Sequence, residues 1–312
     1  MTLPMVVPDP SLPGRVTIWE VGPRDGLQNE SCVIDTQTKV EFIDRLSAAG
    51  LGIVEATSFV RPDRVPQLAD AREVMAGITR REGVRYPVLV PNLRGLESAL
   101  DCGATDIAIF ASATETFAER NLGRGYDAQW EMFTPVVSRA REEGLRVRGY
   151  LSMCFGDPWE GAVPAGQVVA AALRLRDLGC DAISLGDTIG VATPGQVGDL
   201  VRRIVHAGVP LDEIGVHFHD TYGQALANTL AALREGITTI DASAGGLGGC
   251  PYAHAATGNL ATEDLVYMLD GLGIEHGVDL ARLIDTSCWL EERLGRPSSS
   301  RVVRAYTPKE DT

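Results

Sequence analysis

The sequence predicts an α/β fold, a (β/α)8 TIM barrel with additional C-terminal helices, on three observations. Short β-rich runs alternate with amphipathic stretches at a fairly regular spacing, the pattern of βα units around a parallel sheet. The runs number eight, the count that closes a barrel. Polar side chains fall at or just after the ends of these runs, where such a barrel builds its functional face.

The first run, Val16 to Val21, leads into Gly22-Pro23-Arg24-Asp25-Gly26 and then a helical pattern from Thr36 to Ala49, stopped by Gly50. The second run, Gly52 to Ala56, carries Glu55, and the third, Tyr86 to Val90, is followed by Asn92. The fourth and fifth are Asp106 to Phe110 and Val147 to Ser152, after which a helix from Ala165 to Leu178 ends at Gly179. Ala182 to Leu185 precedes Asp187, with a helix from Pro194 to Ala207 after it. Ile214 to Phe218 carries His217 and is followed directly by His219, and a helix from Gly223 to Glu235 leads to the eighth run, Thr238 to Ala242. Next come Gly245-Gly246-Leu247-Gly248-Gly249-Cys250-Pro251, then Asn259, then helical segments at about Thr262 to Leu269 and Asp279 to Leu294, expected to cap one end of the barrel. A doubly wound open sheet is the alternative, but Gly22 to Gly26 is not a dinucleotide-binding loop.

With 312 residues and 45% hydrophobic content, the chain can bury a large core, which excludes disorder. A formal net charge of −14 argues against nucleic-acid and anionic-membrane partners, both of which need clustered positive charge. Six scattered cysteines without a Cys-x-x-Cys pair fit a reducing compartment. The N-terminal stretch reads as neither signal nor transit peptide, and no run reaches the roughly 20 apolar residues of a membrane helix. A cytoplasmic location is the expectation.

His217-Phe218-His219-Asp220 is the most chemical motif, because side chains at i and i+2 of a strand share a face and two imidazoles there can chelate one ion. With a carboxylate from Asp25 and an amide oxygen from Asn259 they form a mixed nitrogen and oxygen set suited to Mg²⁺, Mn²⁺ or Zn²⁺. The plainer alternative is a hydrogen-bonded filling of the barrel interior, made less apt by Asp25 and Asp220 nearby. The glycine-rich loop can act as a lid and carry the Cys250 thiol to a substrate; its plainer reading is a tight crossover. Arg24 can stabilise an oxyanion or merely pair with Asp25. Glu55 can fix the Arg24 guanidinium without taking part in chemistry. His206, His254 and His276 read as structural or exposed.

Five stretches, EVGPRDGLQNE from Glu20, VEATSFV from Val54, YPVLVPN from Tyr86, SLGDTIGVATPG from Ser184 and HFHDTYGQALANTL from His217, resemble the 3-hydroxy-3-methylglutaryl-CoA lyase family of metal-dependent aldolase-type barrels. AGGLGGCPYAHAATGNLATEDLVYML from Ala244 is similar to that family's segment around its catalytic cysteine, and separates it from the related condensing synthases. The resemblance covers roughly residues 15 to 305, implying one catalytic domain over residues 1–312. It implies cleavage of 3-hydroxy-3-methylglutaryl-CoA to acetyl-CoA and acetoacetate, as in leucine breakdown and ketone-body formation. By the same resemblance Asp25, His217, His219 and Asn259 hold a divalent cation, Mg²⁺ or Mn²⁺ ahead of Zn²⁺, and Arg24 stabilises the enolate. Cys250 transfers a proton, Asp25 and His217 share acid and base roles, Asp187 assists, and Ser58 and Ser184 contact an acyl-CoA thioester. A homodimer is implied too. A lyase for a longer 3-hydroxy-3-alkylglutaryl-CoA, a Claisen-type condensing acyltransferase and a barrel without catalysis remain alternatives. Phe218, Ser31, the segment Ser152 to Trp159 and Arg61 to Arg64 differ from the animal members, so CoA contacts or acyl-chain preference can differ.

Overall fold

The computed structural model describes residues 3–30, 32–249 and 258–306. Its strands are β1 (Thr17–Glu20), β2 (Ile53–Val54), β3 (Thr57–Ser58), β4 (Val88–Leu89), β5 (Asp106–Ser112), β6 (Arg146–Ser152), β7 (Ala182–Asp187), β8 (Ile214–Phe218) and β9 (Thr239–Ala242). All pair in parallel, in the order β2-β1-β9-β8-β7-β6-β5-β4-β3. The two ends of that order are halves of one strand, separated only by Glu55 and Ala56. Glu55 N donates to Glu20 O on one side at 2.8 Å and Ala56 N to Pro87 O on the other at 2.9 Å. The sheet therefore closes on itself as the expected eight-stranded barrel.

Strand lengths follow the chain's donors. The expected run Tyr86 to Val90 shrinks to Val88–Leu89 because Pro87 and Pro91 bracket it and neither has an N–H for the ladder. The expected second strand, Gly52 to Ala56, shrinks to Ile53–Val54, and its second half, β3, lies just past the expected end and pairs with this short neighbour. By contrast β5 and β7 run two residues further than expected, to Ser112 and Asp187.

Eight helices return the chain along the outside: α1 (Thr36–Ala48), α2 (Ala71–Gly77), α3 (Leu93–Asp101), then α5 (Tyr126–Glu142), preceded by an extra helix α4 (Glu115–Leu122), α6 (Ala165–Leu178), α7 (Pro194–His206), α8 (Ala225–Arg234) and α9 (Thr262–Leu272). The α1 start is fixed by Asp35, whose carboxylate accepts the Thr38 N–H at 2.9 Å. Thr262–Leu272 corrects the expectation of a cap. It begins where Ala261 bridges Ser243, just past β9, and the chain beyond its end pairs Glu275 with Arg15, just before β1. It thus runs the length of the barrel as the eighth helix of the ring. The additional helices are α10 (Leu280–Leu294), packed against α1 and α9, and α11 (Arg301–Tyr306). No helix among the described residues is long and apolar enough to cross a membrane.

The main core lies between sheet and helices, where Phe42, Ile43, Leu46, Leu96 and Phe133 are fully buried. Inside the barrel lie two small apolar clusters among the described residues, Trp19 with Val21 and Ile53, and Leu89 with Ala108 and Tyr150. Charged side chains share that interior.

Candidate active site

After β1 the chain makes one wide π-type turn, Gly22–Gly26, in which the N–H groups of Arg24, Asp25 and Gly26 all donate to Val21 O at 3.2, 2.8 and 3.1 Å. This wide turn puts two consecutive charged residues at the C-terminal mouth of the barrel. The Arg24 Nε donates to Glu55 Oε1 and its Nη1 to Asp25 Oδ1, each at 2.6 Å, and its guanidinium stands 5.2 Å over the Tyr150 ring. Glu55 is fully buried and also accepts from Trp19 Nε1 at 3.0 Å and from the Tyr150 hydroxyl. Burial alone would lower the Arg24 pKa, but Glu55 and Asp25 outweigh it and raise it, so the cation is permanent.

Across β9 from that turn, His217 and His219 share one face of β8 and its extension, with ring centroids 5.2 Å apart. Ligand atoms of Asp25, His217 and His219 all lie within 4.8 Å of one another, the arrangement a metal ion needs. Asn259 reaches this group because residues 258–260 bond back to the strand end: Asp220 N to Gly258 O at 3.1 Å, Leu260 N to Phe218 O at 3.0 Å. Its Nδ2 donates to Asp25 Oδ2 and to Leu247 O, both at 2.9 Å, leaving the amide oxygen turned elsewhere. Burial raises the Asp25 pKa, but Arg24, then His217 and His219, hold it down at about 2, so it is an anion. Burial, then His217, brings His219 down to about 4, so its imidazole is neutral and able to ligate.

The structure places the other expected residues as follows. Asp187 ends β7, where its carboxylate accepts the N–H groups of Val191 at 2.9 Å and Ala192 at 3.1 Å, folding into its own loop. Burial nevertheless pushes it up to about 6. Ser58 is buried, its hydroxyl accepting Val60 N at 3.2 Å. Ser184 is fully buried and donates to Asp241 Oδ2 at 2.8 Å. Asn92 caps α3 through Gly95 N at 3.0 Å, and Asp220 accepts Ala225 N at 2.9 Å at the start of α8. His206 is exposed, and His276 sits 3.0 Å from Asp270. Cys250, His254 and Ser31 lie outside the described residues. The segment before Cys250 is described: Gly245, Gly246 and Gly248 take φ of 66°, 63° and 105°, angles a side chain would resist.

Several residues at the site carried no motif. Tyr150, Trp19, Arg148 and Asp241 line the interior beneath the mouth, and Asp241 Oδ1 accepts Arg148 Nη2 at 2.6 Å. A charged residue inside an otherwise apolar strand was the available signal, since a parallel sheet buries both faces. Glu20 and Glu263 are also fully buried. Glu20 joins the Arg24 turn to the glycine-rich segment by accepting from Gly22 N at 2.8 Å, Ala244 N at 2.9 Å and the Thr262 hydroxyl at 2.6 Å. Glu263 holds Gly245 N at 2.9 Å and the Ser287 hydroxyl.

The description HMGL-like belongs to the family model that matches residues 15–289. Hydroxymethylglutaryl-CoA lyase of Rattus norvegicus is 50% identical over 295 residues, 95% of this chain and 90% of the relative. The crystal structure of hydroxymethylglutaryl-CoA lyase from Pseudomonas aeruginosa superposes with a TM-score of 0.92 at 48% identity, covering 95% of this chain and 98% of that one. An HMG-CoA lyase from Acinetobacter baumannii in complex with coenzyme A and 3-methylmalate gives 0.90 at 35%, covering 98% and 99%. With a family model spanning nearly the whole barrel and half the residues of a relative identical across it, the chain belongs to the HMGL-like family.

Proposed function

We propose that this chain cleaves 3-hydroxy-3-methylglutaryl-CoA to acetyl-CoA and acetoacetate with the help of a divalent cation. The observation that carries the reading is the meeting, at one barrel mouth, of a fixed guanidinium and a group of metal-ligating atoms, in a chain half identical to a lyase of that name. A relative with coenzyme A and 3-methylmalate bound supports an acyl-CoA thioester as the substrate class. Asp25, His217, His219 and Asn259 would hold the cation. The fit rests on an ionised carboxylate, a neutral imidazole and the buried, unpartnered atoms Asn259 Oδ1 and His219 Nδ1. Mg²⁺ and Mn²⁺ suit a set with oxygen donors and no thiolate, with Zn²⁺ third. When bound, the cation supplies Lewis acidity at the substrate's C3 hydroxyl.

The chain's own side chains supply the rest. Breaking the C2–C3 bond moves charge onto the thioester oxygen as an enolate. Arg24 is the donor for it, since Nε and Nη1 are held by Glu55 and Asp25 and Nη2 has no hydrogen bond among the described residues. Asp25 and His217 are the proposed groups for the C3 hydroxyl proton. Cys250 follows a segment anchored by Glu20 and Glu263 and is the proposed proton donor to the enolate carbon. A homodimer is the proposed solution species, by family resemblance, and light scattering checks it.

The test is a Mn²⁺- or Mg²⁺-supplemented turnover assay that follows acetoacetate, with Cys250→Ala and a longer 3-alkyl analogue in parallel. Cleavage that falls at least about 10²-fold in the variant, the scale of a lost acid or base catalyst, supports the reading. Cleavage of the longer analogue alone moves the substrate to a larger acyl chain, and inactivity on both points to condensation chemistry.

A further inference from the structure

We propose that Asp241, held in place by Arg148 and Ser184, is a positioning residue that aims the His217 imidazole at the cation site. The inference rests on the metal reading above and adds a layer beneath it. Asp241 and His217 are register partners on β9 and β8, so their side chains stand side by side inside the barrel. Asp241 is almost wholly buried, and its carboxylate has three neighbours. Oδ1 accepts Arg148 Nη2 at 2.6 Å, and Oδ2 accepts the Ser184 hydroxyl at 2.8 Å and lies 3.3 Å from His217 Nδ1. The contact is within hydrogen-bond reach but lacks hydrogen-bond alignment.

Each support is itself fixed. Arg148 is 3% exposed and its guanidinium stacks 4.0 Å over the Trp19 ring. Gly215 leaves the room it occupies: a Cβ there would lie 2.7 Å from Arg148 Nη2. Ser184 sits in β7, beside β8. The carboxylate is therefore held from two sides by donors on other strands, and its remaining direction is toward the imidazole. A carboxylate at Nδ1 fixes the tautomer that leaves Nε2 for a cation and makes the ring a better ligand. The competing role is that Asp241 only neutralises the buried Arg148 charge.

Titration of metal-free protein with Mn²⁺, followed by calorimetry, separates these roles without any turnover measurement. Asp241→Asn is expected to weaken Mn²⁺ binding about 10- to 100-fold. Ser184→Ala leaves the Arg148–Asp241 pair intact, so a purely charge-neutralising Asp241 predicts unchanged binding, whereas a positioning Asp241 predicts weakening of at least about threefold. Unchanged affinity in Ser184→Ala overturns the proposal, and this variant decides alone if Asp241→Asn does not fold. Wild-type protein that binds no Mn²⁺ overturns the metal reading itself, and the proposal with it.

Discussion

On the β1 and β2 side of the barrel mouth, both Glu55 oxygens are engaged, by Arg24, Trp19 and Tyr150. On the β8 side, two buried heteroatoms, His219 Nδ1 and Asn259 Oδ1, have no hydrogen-bond partner among the described residues. Buried polar groups are rarely left unpaired, because each costs about 1–3 kcal/mol. Two of them beside an ionised Asp25 fit a place that could take a positive ligand. The saturated side holds its charge rigidly, whereas the unsaturated side keeps buried polar atoms that the described residues do not satisfy. Asp25 connects the two, accepting from Arg24 with one oxygen and Asn259 with the other.

The largest expected effect breaks the saturated side. Glu55→Gln leaves the Arg24 charge buried with only Asp25 to balance it, and loss of one partner from a buried ion pair costs about 3–5 kcal/mol. Urea unfolding of the metal-free variant should show a loss near the lower end of that range. A loss under about 1 kcal/mol, the size of an exposed pair, would mean that Asp25 alone carries the Arg24 charge.

The next pair of variants asks whether the two sides are functionally distinct. Arg24→Gln should lower kcat about 10²- to 10³-fold, as removal of an oxyanion donor does, while Mn²⁺ affinity stays close to wild type. His219→Ala should do the reverse, weakening Mn²⁺ binding at least about tenfold by removing a ligand. Steady-state kinetics at saturating Mn²⁺ and a direct Mn²⁺ titration read the two axes separately. If Arg24→Gln weakens Mn²⁺ binding as much as His219→Ala, the guanidinium belongs to the metal site through Asp25.

The two sides were unequally legible in the sequence. His217 and His219 stand out because a two-residue spacing on a strand is readable from one short stretch of sequence, and Arg24 and Asp25 because polar residues after an apolar run mark a barrel's working end. Asn259 is remote in sequence from all of them and lies at the site only through pairing of residues 258–260 with the end of β8. Asp241 sits between Ile240 and Ala242, and Arg148 between Val147 and Gly149, so the runs signal strands without signalling a role for either charge. Their meaning depends on facing each other across the barrel, which spacing along one strand does not encode. Pro87 lies inside the apolar run Tyr86 to Val90, where hydrophobic content signals a strand but a missing N–H shortens it to Val88–Leu89.

The smallest expected effect sharpens what saturation means. Glu55 is saturated partly by a cation, whereas Glu263 is held by the Gly245 N–H and the Ser287 hydroxyl, which carry no charge. Burial is the leading cause that pushes Glu263 from 4.5 up to about 8, with Glu20 adding to it against the pull of those hydrogen bonds. The folded state therefore keeps a proton that the unfolded chain gives up above about 4.5. Stability from this group is fully present below 4.5 and lost as the pH rises toward 8, at about 1.4 kcal/mol per pH unit. Glu263→Gln has no proton to lose, so between pH 6.5 and 7.5 wild-type stability should fall relative to the variant by about that amount. Urea unfolding of metal-free protein at the two pH values measures it. Parallel behaviour of wild type and variant would mean that Glu263 is ionised in the fold, and that neutral donors saturate a buried carboxylate as fully as Arg24 does.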